Sequence, residues 1–173
     1  MRLYGVLMFW ACLFCQGCAH APAMQVNDMS MTLEKMENLP LGATSSEVEH
    51  LFGMAPEIYP WSPGRSTTDW HYPANDYNRM VFEIDNATHR VVMKFWAVLD
   101  GDPERKLEVA LARYPHAHFK RRDSKVKPPH GGPGYAWYDD EASGVSIQFR
   151  KAKNTVYSIV WCKEDPKMPC RKE

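Results

Sequence analysis

The sequence predicts an α+β fold: two tandem α-β-β-β units, with an antiparallel sheet and helices packed on one face. Three observations predict it. A self-capped amphipathic helix precedes an aromatic strand. A polar turn then joins two arms of alternating apolar residues. The same order returns about 65 residues later: Leu51 and Leu111, Trp70 and Trp137, Val81 and Val145, and Trp96 and Trp161 lie 60, 67, 64 and 65 residues apart.

In the first unit, Thr44-Ser45-Ser46-Glu47 reads as a capping box, in which hydroxyl and carboxylate each satisfy the other residue's backbone N–H. Val48, Leu51 and Phe52 supply the i, i+3, i+4 stripe of a helix over 45–52. Gly53 suits a left-handed stop, and Pro56 blocks continuation. EIYPWSPGRSTT (57–68) reads as a loop, and DWHY (69–72) as a short strand. Met80, Phe82 and Ile84 alternate on one hairpin arm, with Val91, Met93 and Phe95 on the other and DNATH as the turn.

The second unit opens at Asp102-Pro103-Glu104: cap, proline at the first helical position, then an early acid. Leu107, Ala110, Leu111 and Tyr114 form its stripe. YAWYDD (135–140) reads as its aromatic strand. Val145, Ile147 and Phe149, with Tyr157, Ile159 and Trp161, form the two alternating arms of the closing hairpin.

Ahead of these units, a basic start and an apolar run from Leu3 to Phe14 are far shorter than the ~20 residues of a spanning helix. They fit the core of a secretory signal. Gly17 precedes Cys18, the position of the acylated cysteine in a bacterial lipoprotein signal, although Cys15 stands where leucine is usual. Cleavage after Ala21-Pro22-Ala23 is the alternative. Cys12-x-x-Cys15-x-x-Cys18 has thiolate-ligand spacing but lies largely within the leader. Acylation at Cys18 implies a membrane anchor, since each buried methylene contributes ~0.8 kcal/mol. Ala19 following Cys18 fits retention at the outer membrane, facing the periplasm.

The 173 residues carry 21 basic and 21 acidic side chains. No net field favours nucleic acid, and no nucleic-acid partner is expected. Cys162 and Cys170 flank KEDPKMP, a spacing that reads as a disulfide in an oxidising compartment, with two free thiols as the alternative.

Gly42-Ala43-Thr44, Glu47-Val48, Leu51, Gly53 and Pro56 resemble the opening motif of the SmpA/OmlA (BamE-like) lipoprotein family, and Trp70-His71-Tyr72 and the hairpin follow in the expected order. Two units in tandem resemble the arrangement in β-lactamase inhibitory protein-like domains. Ala43 stands where that family has methionine, and Arg113-Tyr114 stand where the second unit would carry its glycine stop. The leader gives a lipoprotein signal peptide at 1–17 and a lipidated tether at 18–38, and the resemblance implies a BamE-like unit at 39–100. A diverged second unit at 101–162 and a tail at 163–173 complete the chain. The resemblance points to outer-membrane assembly or envelope integrity and to an envelope protein partner, but it carries over no individual contact residue and does not imply membership of the assembly machine.

Catalytic motifs are missing from the sequence: there is no HExxH, GxSxG or phosphate loop. No enzyme activity and no cofactor are expected. His116, His118 and His130 are the best metal candidates, against a plainer reading as exposed loop histidines. The YDDE stretch (138–141) has oxygen ligands suited to a divalent cation, or simply ends a strand in a solvated turn. Lys120, Arg121, Arg122, Lys125 and Lys127 make a basic segment suited to anionic headgroups or to a solvated loop. Tyr59, Trp61 and Arg65 are residue types enriched at interface hot spots. The expected function is a non-enzymatic, protein-binding or scaffold lipoprotein. The alternatives are an inhibitor or ligand-binding protein of an envelope enzyme, and a histidine-based metal-binding protein.

Overall fold

A computed structural model describes residues 32–55, 57–60, 66–74, 77–124 and 134–162. Eight strands form one antiparallel sheet: β1 (Glu57–Pro60), β2 (Thr67–Ala74), β3 (Tyr77–Asp85), β4 (Val91–Ala97), β5 (Lys120–Asp123), β6 (Tyr135–Asp140), β7 (Val145–Arg150) and β8 (Thr155–Cys162). Their order is β1-β2-β3-β4-β8-β7-β6-β5. Helical structure among the described residues is confined to α1 (Leu33–Asn38), α2 (Ser45–Phe52), α3 (Leu107–Ala112) and two 3-10 turns.

This corrects the expected two tandem α-β-β-β units. A single strand-dominated sheet replaces them, with four strands from each half of the chain. The halves merge because β4 pairs with β8, Trp96 lying opposite Ile159 and Lys94 opposite Trp161. The extra strands, β1 and β5, lie in segments whose proline or charge reads as loop. Their extended form comes from pairing with β2 and β6 rather than from any alternation of their own.

Two irregularities re-aim side chains that strict alternation placed otherwise. In β3–β4 the register shifts between Glu83 and Ile84. Lys94, Trp96 and Val98 therefore join Val91 as the buried residues, while Met93 and Phe95 are only half-buried. A second shift, between Gln148 and Phe149, buries Val156 and turns Tyr157 outward. One extra residue in a strand reverses the facing of everything beyond it.

The repeat pairs fare unevenly. Through the register Trp70 lies beside Phe82 and Lys94, whereas Trp137 lies beside Gln148 and Ser158 on the opposite face.

The core joins Tyr72, Met80, Phe82, Trp96, Ile147 and Ile159 of the sheet to Met36, Val48, Phe52 and Ala110 of the helices. The Phe52 ring sits 5.3 Å from Phe82 and 6.1 Å from Tyr72. The capping box of α2 forms as expected: Glu47 N donates to the Thr44 hydroxyl, and Thr44 N donates to the Glu47 carboxylate at 2.7 Å. Asp102 does not cap a helix as expected. Its carboxylate accepts instead from Arg79 at 2.6 Å and from Leu99 N at 2.8 Å.

Candidate functional site

The composition of the two sheet edges differs. At the β1 edge, α2 ends at Gly53, whose φ of 82° favours glycine. The Tyr72 hydroxyl donates to the Gly53 carbonyl at 2.8 Å and ties this stop to the sheet. Beyond the stop the chain passes Met54 and enters β1, all of whose residues are exposed. Four large apolar side chains lie in water within nine positions: Leu51 is 41% exposed, Met54 73%, Ile58 53% and Tyr59 51%. Of these, Leu51 belonged to the expected buried stripe; in α2 only Val48 and Phe52 are buried.

Alternation puts Ile58 on the helix-bearing face beside Trp70, and Glu57 and Tyr59 on the other face beside His71 and Asp69. The Tyr59 hydroxyl donates to Glu57 at 3.1 Å, which raises the affinity of the phenol for its proton. The Tyr59 ring meets the His71 ring edge-on at 4.8 Å. His71 Nε2 lies 3.8 Å from Asp69 Oδ2. Asp69 Oδ1 and His71 Nδ1 are both buried and have no hydrogen-bond partner among the described residues. Glu83 lies across from Asp69 and accepts from the Thr67 hydroxyl at 2.6 Å. Glu57, Asp69 and Glu83 thus give this corner of the sheet an acidic face.

The β5 edge is charged throughout. Arg121 pairs with Asp123 at 3.2 Å, and Lys151 with Asp123 at 2.8 Å. Arg122 donates to Asp139 at 3.0 Å and lies over the Trp137 ring. Three of the five expected basic residues therefore lie in a strand, where Arg121 and Arg122 engage acids; Lys120 and Arg121 are exposed, and Lys125 and Lys127 lie outside the described residues.

His116 and His118 are exposed on the turn after α3, and His130 lies outside the described residues. Among the described residues no group of three metal-ligating side chains converges. Both YDDE aspartates are engaged within the protein. Asp139 accepts from Ser146 at 2.8 Å. Asp140 accepts from Ser143 and from His118 N, and the Ser143 hydroxyl leads in holding its carboxyl below the ordinary range.

Cys162 is buried at the end of β8, and the pairing with Cys170 expected for it falls outside the described residues. Trp61, Arg65, Cys18 and Cys170 also lie outside them. Of the residues expected to bind a partner, Tyr59 is placed at the apolar edge. Leu51, Met54, Ile58, Glu57 and Asp69 were not singled out from sequence for this edge, because which strand lies at the rim depends on the order of the whole sheet.

No helix among the described residues is long and apolar enough to cross a membrane. No protein-family model matches the chain, and a comparison with curated proteins found no match. Among solved structures, an extracellular protein containing a SCP domain from Bacillus anthracis str. Ames matches 82% of this chain at 15% identity, with a TM-score of 0.43. This chain spans about half of that protein, covering 49% of it. A likeness at this level carries no argument about function.

Proposed function

We propose that the chain is a non-enzymatic protein-binding module of the bacterial envelope, held at the periplasmic face of the outer membrane by lipid on Cys18. One observation carries the binding half of this reading: four of the large exposed apolar side chains crowd the β1 edge and the end of α2. Apolar groups concentrated beside an unpaired strand edge are a liability unless a partner covers them. The leader before Cys18 and the motif from Gly42 to Pro56 support the anchored half. A Cys162–Cys170 bridge belongs to the same proposal and fits an oxidising compartment.

A photo-reactive residue placed in turn at Ile58, Tyr59, Lys120 and Arg121 tests the binding site in living cells. Capture of one protein from 58 and 59, and not from 120 and 121, is the expected pattern. Equal capture from both edges, or none from either, overturns the reading. Intact mass of the extracted protein tests the anchor. Loss of residues 1–17 with added acyl mass is expected, and an unmodified Cys18 overturns it.

A further inference from the structure

We propose that β1 recruits its partner by strand addition, and that the segment added is extended and alternates basic with apolar side chains. This rests on the reading of the β1 edge as a protein-docking site and states the chemistry of what docks there. An edge strand offers a row of unpaired backbone donors and acceptors, so an extended segment can pair with it whatever its sequence. The side chains then choose among segments.

On the helix-bearing side an added strand meets Ile58, with Leu51 and Met54 close by in the chain, and apolar side chains suit that surface. On the other side it meets Glu57, with Asp69 and Glu83 behind. Neighbouring strands lie ~4.8 Å apart, so a side chain of the added strand reaches past β1 to Asp69 only if it is long. Lysine and arginine have that reach and the complementary charge. The buried Asp69 Oδ1 has no donor among the described residues, and a cation arriving over β1 would supply one. The opposite edge lacks this pairing of an apolar and an acidic side: β5 reads Lys-Arg-Arg-Asp, a composition that resists strand addition.

The test titrates the full chain with an acetylated heptapeptide alternating lysine and valine, read by calorimetry and by hydrogen exchange of the β1 amides. Binding with slowed exchange at the β1 amides that face away from β2 is expected. The same peptide with glutamate for lysine should bind about tenfold more weakly, as charge complementarity sets the discrimination. N-methylation of alternate peptide nitrogens should abolish binding. Glu57→Lys, an exposed substitution, should weaken the lysine peptide and strengthen the glutamate one. Equal binding of both peptides, binding unaffected by N-methylation, or protection at β5 overturns the proposal. A dimer of the chain dissociated by Ile58→Lys would replace the basic segment by a second copy. If Ile58 and Tyr59 crosslink a protein but the peptide protects no amide, strand addition fails while the docking reading stands. Failure of both experiments removes both.

Discussion

Lys94 Nζ donates to the Leu39 carbonyl at 2.6 Å, in the middle of a buried core. It also donates to the Met36 carbonyl at 2.7 Å and reaches that of Glu37 at 3.3 Å. These are carbonyls at the end of α1, which the helix itself leaves without partners. The ammonium lies 5.0 Å from the centre of the Trp161 ring, at the seam where the two halves of the sheet meet. A single side chain, 2% exposed as a residue, therefore fastens α1 to the β4–β8 pair.

Lys94→Ala should destabilise the fold by about 3 kcal/mol, since it opens a cavity and strands buried carbonyls. Lys94→Met should cost less, because it fills the volume and removes a charge that is expensive to bury. Denaturant unfolding of the two variants checks the order. A more stable Lys94→Ala would mean that α1 is not held by this contact.

The same amine sets an alkaline signature. Burial pushes Lys94 down to about 8 from an ordinary 10.5, against the attraction of Glu37. Between those values the unfolded chain holds a proton that the folded chain has lost, so stability from this group rises with pH across that window. Tyr72 and Tyr114 act in the opposite sense. Burial raises both, and the bond to Glu37 raises Tyr114 further. Above about pH 10 unfolded tyrosines ionise while these two stay neutral, and stability falls. Unfolding free energy should rise from pH 8 toward 10 and then drop. Lys94→Met should abolish the rise and keep the drop.

Glu37 links α1 to α3. Its carboxylate accepts from Arg113 Nε and Nη2, both at 2.7 Å, and from the Tyr114 hydroxyl at 2.7 Å. Arg113 also reaches Glu104 at 3.1 Å. The fork geometry is peculiar to arginine. Arg113→Lys should therefore lower stability by about 1–2 kcal/mol, as expected for bonds to charged groups. Thermal melts of Arg113→Lys, Glu37→Gln and the double variant check the coupling. Purely additive losses would show that the pair does not act as a unit.

Gly144 stands at φ 71° in the turn between β6 and β7, where Cys162 N donates to its carbonyl at 2.9 Å. A Cβ on Gly144 would fall 2.5 Å from the Cys162 carbonyl oxygen. Gly144→Ala combines a disfavoured backbone conformation with a clash against backbone, and a loss of about 2–3 kcal/mol is expected. A melting temperature equal to the parent's would refute this.

Carboxylates in turns and caps give an acid limb. Hydrogen bonds from Thr44 to Glu47, from Thr88 to Asp85 and from Ser143 to Asp140 hold all three below their ordinary values. Their contribution is present above the ordinary carboxylate range and is lost as pH falls through it. Stability should decline below about pH 4, and Thr44→Ala, which removes one of these donors, should flatten part of the decline.

The sequence by itself determined what is local. The Thr44–Glu47 box, the span of α2, the strand around Trp70 and the two hairpins follow from residues within a few positions of one another, because caps, turns and alternation are short-range. Tertiary structure decided what pairing and packing impose. Glu57–Pro60 and Lys120–Asp123 are extended because neighbouring strands hold them, not because of their own pattern. One extra residue in each of two ladders placed Lys94 inside and Tyr157 outside, reversing the simple alternation. The apolar edge was half legible: Tyr59 stood out by residue type. That Ile58 lies at the rim, and that Asp69 sits one strand in with an oxygen unpartnered among the described residues, is fixed only by the order of the whole sheet.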